Sequence, residues 1–265
     1  MIAVENVDSG KGFDWGKTTQ DYQKYRTGYP PEFYQILAAL GVGLEGQRIL
    51  DLGTGTGELA LNFASQGAQI TGIDISEQQI AQARQNASKR NLNIDFQAIR
   101  AEDVSFPDKS FDTITASMCW LYFAKDVMIP MVKRLLKPTG VLMTSSIVWL
   151  PFEDELAGKT EELILKYNPN WSSSGAVDGQ ISIPEWSEKD FNIRSHHKFK
   201  VEVPFGNSSW RGRLRANRGI GASLPLNEIE AFDQELDKLI LEMYSNQPFT
   251  VTHRIRMTLF EVKHH

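Results

Sequence analysis

Between a short apolar run, Arg48 to Leu52, and a helical pattern the chain reads Gly53-Thr54-Gly55-Thr56-Gly57. Glycines at alternate positions let a ligand come close to the backbone. A helix that begins at such a turn also aims unpaired N–H groups at the ligand. Asp74 lies 21 residues after Gly53, at the end of a second apolar run. A carboxylate so placed can accept hydrogen bonds from both hydroxyls of a ribose. The plainer reading makes Asp74 a turn residue at a strand end. On its own, the glycine turn fits several nucleoside-bearing ligands.

The order of the residues narrows this. Asp51-Leu52-Gly53-Thr54-Gly55-Thr56-Gly57 resembles the E/D-x-G-x-G-x-G signature of class I S-adenosylmethionine (SAM)-dependent methyltransferases. The dinucleotide fingerprint G-x-G-x-x-G would need a third glycine where Glu58 stands. Further landmarks of the same family follow in order: Ile73-Asp74-Ile75-Ser76, Ala101-Glu102-Asp103, Phe111 to Thr115, and Leu135 to Gly140. The resemblance covers roughly residues 48 to 145. It implies that Asp51, Gly53, Thr54, Gly55, Asp74, Ile75 and Ser117 surround SAM and that Ala101, Glu102 and Asp103 meet its adenine. Upstream, Tyr22-Gln23-Lys24-Tyr25-Arg26-Thr27-Gly28-Tyr29-Pro30 resembles the Y-x-x-x-R-x-x-Y-P stretch of the UbiE-like and trans-aconitate-methyltransferase-like branch. There the resemblance gives Arg26 the methionine carboxylate of SAM, with Tyr22 close by. A guanidinium grips a carboxylate bidentately, which suits that role; a solvated surface charge is the alternative. Thr27 stands where relatives often carry Pro.

The acceptor side is less legible. Methyl transfer from a sulfonium is an in-line displacement whose leaving group comes with the donor, so alignment and desolvation are the protein's main tasks. No universal catalytic residue follows. Ser117-Met118-Cys119-Trp120-Leu121-Tyr122-Phe123 ends the fourth strand signal, and Leu121 stands where relatives place a His. Trp120 and Tyr122 either line the acceptor pocket or belong to the core. Cys119 reads as a small buried residue rather than a nucleophile. Arg211, Arg213, Arg215 and Arg218 crowd eight positions of an acidic chain. A helix would put Arg211, Arg215 and Arg218 on one face. That face either binds an anionic acceptor or pairs with the acidic helix pattern 227 to 242. His196, His197 and His253 are scattered, with no metal-ligand spacing around them, and no metal is expected.

The elements that hold these residues alternate. Strand signals at 48–52, 69–74, 94–98, 111–117 and 141–148 are separated by helical patterns at 58–66, 77–90 and 127–136, and Glu32 to Leu40 forms an earlier helix. That alternation predicts a Rossmann-like α/β fold: a seven-stranded, mostly parallel sheet covered by helices on both faces, with its last strand antiparallel. Beyond residue 150 the rhythm breaks. A strand at 198–205, an amphipathic helix at 226–244 and a long strand at 249–262 remain. The expected organisation is one domain over 1–265, with a lid at 1–46, the SAM-binding core at 47–148, a substrate-covering insertion at 149–225, and a closing helix and strand at 226–265.

Composition bounds the rest. The 265 residues are 41% hydrophobic and 23% charged, with a formal net charge of −5. That acidity argues against a nucleic-acid partner, which would favour a basic excess. One cysteine excludes an internal disulfide, and no apolar stretch reads as a signal peptide or membrane span, so a cytoplasmic setting is the simplest expectation. The expected enzyme transfers a methyl group from SAM to a small-molecule acceptor, possibly an anionic one. The alternatives are a nucleic-acid or protein methyltransferase, or a SAM-binding protein without catalysis.

Overall fold

The computed structural model describes residues 4, 7–26, 28–176, 178–179 and 183–263; Thr27, His264 and His265 lie outside them. The helices are α1 (Thr19–Tyr25), α2 (Pro31–Ala39), α3 (Glu58–Ser65), α4 (Glu77–Lys89), α5 (Lys125–Leu135), α6 (Glu155–Tyr167), α7 (Glu185–Glu188), α8 (Asn207–Arg215) and α9 (Leu226–Tyr244). The strands are β1 (Arg48–Leu52), β2 (Gln69–Asp74), β3 (Asp95–Ala98), β4 (Phe111–Ser117), β5 (Leu136–Trp149), β6 (Phe191–Phe205) and β7 (Phe249–Val262).

The strands form one seven-stranded sheet in the order β3-β2-β1-β4-β5-β7-β6. Six run parallel and the last is antiparallel, as the sequence predicts. β1 pairs in parallel with β2 on one side and β4 on the other. The chain therefore winds outward in both directions from β1. In such sheets ligands bind outside the carboxyl ends of the strands, at the point where the winding reverses. Leu52, Asp74 and Ser117 end β1, β2 and β4 on that side.

Local chemistry explains the elements. Ser76 caps α4 by accepting from the Gln79 N–H at 3.3 Å. Pro31 opens α2, where its missing N–H costs nothing. β5 starts at Leu136, five residues before the strand signal, because the register slips between Phe111 and Thr113 and absorbs the Pro138-Thr139-Gly140 segment as a bulge. β6 starts at Phe191, seven residues early. It is an edge strand, half-exposed on both sides, so Ser195 to Lys198 carry no apolar alternation.

The chain divides into two compact units, to both of which β5, β6 and β7 contribute residues. One contains Gly28–Ser146, Gln180–Lys198 and Arg256–His265. Its core includes Leu50, Leu52, Ile73, Ile114, Leu142 and Phe260. The other contains Met1–Thr27, Ile147–Gly179 and Phe199–Ile255. Trp149, Trp171, Trp210, Phe205, Phe232 and Leu236 build its core. Among the described residues, no helix is long and apolar enough to cross a membrane.

Candidate cofactor and substrate site

The glycine turn is fixed from both sides. Gly53 has φ +61°, and a Cβ there would lie 2.9 Å from the Cys119 Cβ and Sγ, so both the conformation and the space call for glycine. Asp51, 2% exposed on β1, accepts from Thr115 Oγ1 and Thr54 Oγ1, each at 2.6 Å. The Thr54 N–H donates to the Ile73 carbonyl at 2.8 Å. Asp51 thus ties the turn to β4 while the backbone ties it to β2. Its role in the structure is to brace the loop, with both oxygens already engaged.

Burial pushes Asp51 up to about 6; the nearby Asp74 adds to this, while the two threonine hydrogen bonds oppose it. An acid whose native pKa is raised binds more protons folded than unfolded between its ordinary value and the raised one. Its contribution to stability therefore grows as pH falls through that window. Asp51→Asn removes the buried charge and with it this dependence. The variant's Tm relative to the parent's should be highest near about pH 7 and fall by about pH 4.5. Thermal denaturation across that range checks it; a pH-independent difference would refute the assignment.

Asp74 is half-buried at the end of β2. Its Oδ2 accepts the Gly55 N–H at 3.0 Å and its Oδ1 the Ser76 N–H at 2.9 Å. Burial raises its pKa, and the N–H groups of Ser76, Gly55 and Ile75 oppose that. Each oxygen keeps lone-pair capacity beyond its one backbone bond, so the carboxylate fits a vicinal diol. Ile75 beyond it is 45% exposed.

Ser117 lies in a small hydroxyl chain that the sequence did not reveal. The Tyr29 hydroxyl donates to Ser145 Oγ at 3.1 Å and lies 2.9 Å from Ser117 Oγ, which then serves as its donor. The Tyr29 ring stacks on Phe33 with centroids 3.8 Å apart. Tyr29 belongs to the quoted Y-x-x-x-R-x-x-Y-P stretch, which was the one available signal. Ala101–Asp103 form a 3-10 turn in which Glu102 accepts the Ala124 N–H at 3.3 Å and Asp103 is exposed. Cys119 donates its thiol to the Leu52 carbonyl at 3.0 Å, and burial raises its pKa far above the ordinary thiol range, which removes it as a nucleophile. The Trp120 ring is core, packed against Trp186 at 5.0 Å. Tyr122 is half-buried in the same 3-10 turn, Trp120–Tyr122.

In the other unit, the Arg26 guanidinium lies 4.6 Å above the Tyr22 ring. The arginine row is largely occupied by acids. Arg211 pairs with Asp233 and with Asp237 at 2.9 Å. Arg215 pairs with Asp233 and with Asp21 at 3.0 Å. Arg218, past the end of α8, is buried with Asp8 at 2.8 Å. Of the two readings the sequence left open for these three, ion pairing is the arrangement observed, extended to acids outside α9. Arg213 alone has a different environment: 6% exposed, 5.2 Å from the Trp149 ring. The spacing that groups Arg211 and Arg215 turns Arg213 to the opposite, inward side, and that was the sequence signal for it.

A surface cleft of about 630 Å³, lined by Pro138, Thr139, Asn192, Arg194, Glu261 and Val262, opens at the amino ends of β5 and β6, away from the strand ends that bear Asp74 and Ser117. Among the described residues no cluster of His, Cys, Asp and Glu can hold a metal ion.

A methyltransferase-domain family model matches residues 44–202, the span that contains the glycine turn, Asp74 and Ser117. The chain belongs to that methyltransferase-domain family. This methyltransferase-domain protein is 38% identical over 117 residues to a ubiquinone biosynthesis O-methyltransferase of Pasteurella multocida (strain Pm70); the match covers 40% of this chain and 48% of that protein. The chain spans about half the length of the curated relatives it matches. Among solved structures it resembles a SAM-dependent methyltransferase of Geobacter sulfurreducens in complex with S-adenosyl-L-homocysteine. There the TM-score is 0.52 at 18% identity, over 92% of this chain and 96% of that one. It also resembles the [4+2]-cyclase SpnF, with a TM-score of 0.53 at 19% identity, over 95% and 98% of the two chains. At these identities the structural likenesses describe the fold.

Proposed function

We propose that the protein binds SAM at the glycine turn and Asp74 and transfers its methyl group to a small-molecule acceptor. The observation that carries this reading is the Asp74 carboxylate. It is held at the end of β2 by the turn it serves, and each oxygen keeps capacity for one hydroxyl of a ribose. Family membership and the O-methyltransferase names of the relatives support the reaction class.

In this reading Gly53 and Gly55 let the donor approach the backbone, and Ala101, Glu102 and Asp103 are the residues expected to meet its adenine. The donor supplies a methyl group on a sulfonium, ready for in-line displacement. The chain's residues orient the reactants and exclude water. Tyr29, Ser117 and Ser145 offer hydroxyls around the end of β4 that can orient a polar group without acting as a strong base.

Calorimetric titration of the purified protein with S-adenosyl-L-homocysteine and with NAD tests the reading. Binding of the first and not the second is expected; no affinity for the first would overturn it. The likeness to a [4+2]-cyclase motivates one rival, in which SAM binds but no methyl moves. Incubation with methyl-labelled SAM and a panel of small hydroxylated and carboxylated acceptors separates the two, because only the methyltransferase labels an acceptor.

A further inference from the structure

Three hydroxyls meet where β4 and β5 end their pairing. Ser117 and Ser145 are register partners on the two strands. The Tyr29 hydroxyl reaches both, at 2.9 Å and 3.1 Å. Its ring is held by the stack on Phe33, a fully buried residue of α2. All four residues lie in the compact unit that also holds the glycine turn and Asp74.

The protons of this chain of hydroxyls can be followed. A hydroxyl has one to give. Tyr29 gives its own to Ser145. The contact between Tyr29 and Ser117 therefore uses the Ser117 proton. Ser117 Oγ is left with lone pairs alone for anything that comes to the strand end. On the same face of β4, Thr115 has also given its proton away, to Asp51. Access separates the two: Thr115 is 0% exposed, whereas Ser117 is half-buried. The register that pairs Leu52 with Ala116 places Ser117 level with Gly53, at the head of the turn. Cys119, two residues on, packs against that glycine.

SAM brings three kinds of hydrogen donor. In the reading above, Asp74 takes the ribose hydroxyls, and Ala101, Glu102 and Asp103 meet the adenine amino group. The α-ammonium group remains, and a cation gains most from a partner that only accepts. We propose that Tyr29 is a positioning residue for the donor: by engaging the Ser117 proton it keeps Ser117 Oγ an acceptor for the α-ammonium group of SAM. The inference rests on the methyl-transfer reading, in which the turn and Asp74 hold that donor.

The test is calorimetric titration with two ligands, S-adenosyl-L-homocysteine and its deaminated analogue, which keeps the carboxylate and lacks only the ammonium group. The parent protein should bind the first about tenfold more tightly. Tyr29→Phe keeps the ring stack and frees the Ser117 proton. It should lose about three- to tenfold in affinity for the first ligand and stay within about twofold of the parent for the second. Ser117→Ala should show the same selective loss, and the double variant should lose no more than Ser117→Ala alone. Ser145→Ala covers the case in which Tyr29→Phe fails to fold. It lets the Tyr29 proton turn to Ser117 and should also reduce the preference, whereas Ser145→Thr, which keeps the oxygen, should retain it. Equal losses for both ligands in Tyr29→Phe and Ser145→Ala would mark a merely structural role and overturn the proposal, as would an unchanged preference in both. A parent that binds both ligands equally would overturn it alone and leave the donor site standing. A parent that binds neither would sink the methyl-transfer reading and this inference with it.

Discussion

Asp74→Ala should weaken S-adenosyl-L-homocysteine binding by about 30- to 150-fold. The estimate corresponds to about 2–3 kcal/mol for hydrogen bonds from a ribose diol to a charged acceptor. The same substitution leaves the Gly55 and Ser76 N–H groups without their acceptor, so some stability is lost as well. Asp74→Asn separates the two effects. It keeps one oxygen for the backbone and forfeits the charge, so it should stay folded by circular dichroism yet still bind the nucleoside several-fold more weakly. Calorimetry on both variants decides the matter; parental affinity in the alanine protein would refute the ribose assignment.

The second large effect concerns stability alone. Asp8 and Arg218 are 1% and 3% exposed, and the Asp8 carboxylate also accepts the Ser172 N–H at 2.7 Å and the Ser172 hydroxyl at 2.9 Å. Removing one partner strands the other's charge away from water. Arg218→Ala should therefore cost about 3–5 kcal/mol, measured by urea denaturation. Replacing both members with apolar residues, as in Asp8→Leu with Arg218→Met, should recover much of that loss, because nothing charged is then left buried. A single variant that unfolds at the parent's urea midpoint would show that the pair is not buried in solution.

These two experiments probe different kinds of sequence information. The parallel core was legible because its signals are local. The apolar run of β1, the glycine turn and the Ser76 cap each lie within a few residues, and the structure matches them almost to the residue. The early starts of β5 and β6 were not legible, for physical reasons. A bulge opposite the Phe111–Thr113 step hides the proline segment inside a strand, and an edge strand wetted on both sides has no alternation to read. The arginine row was visible as charge, but its meaning lies in acids up to 210 positions distant, Asp8 among them. Tyr29 was part of a recognised stretch, yet its chain of hydroxyls needs Ser117 and Ser145, which only the folded sheet brings to it.

The packing of Cys119 against Gly53 has a practical corollary. The chain's one sulfhydryl sits behind the turn, tethered to a carbonyl and held protonated by its surroundings. Alkylation needs the thiolate, which is disfavoured while the half-buried thiol stays packed on the turn. The rate of modification thus reports on the packing of the turn, native to the protein and free of any introduced label, and a nucleoside that clamps the turn should slow it.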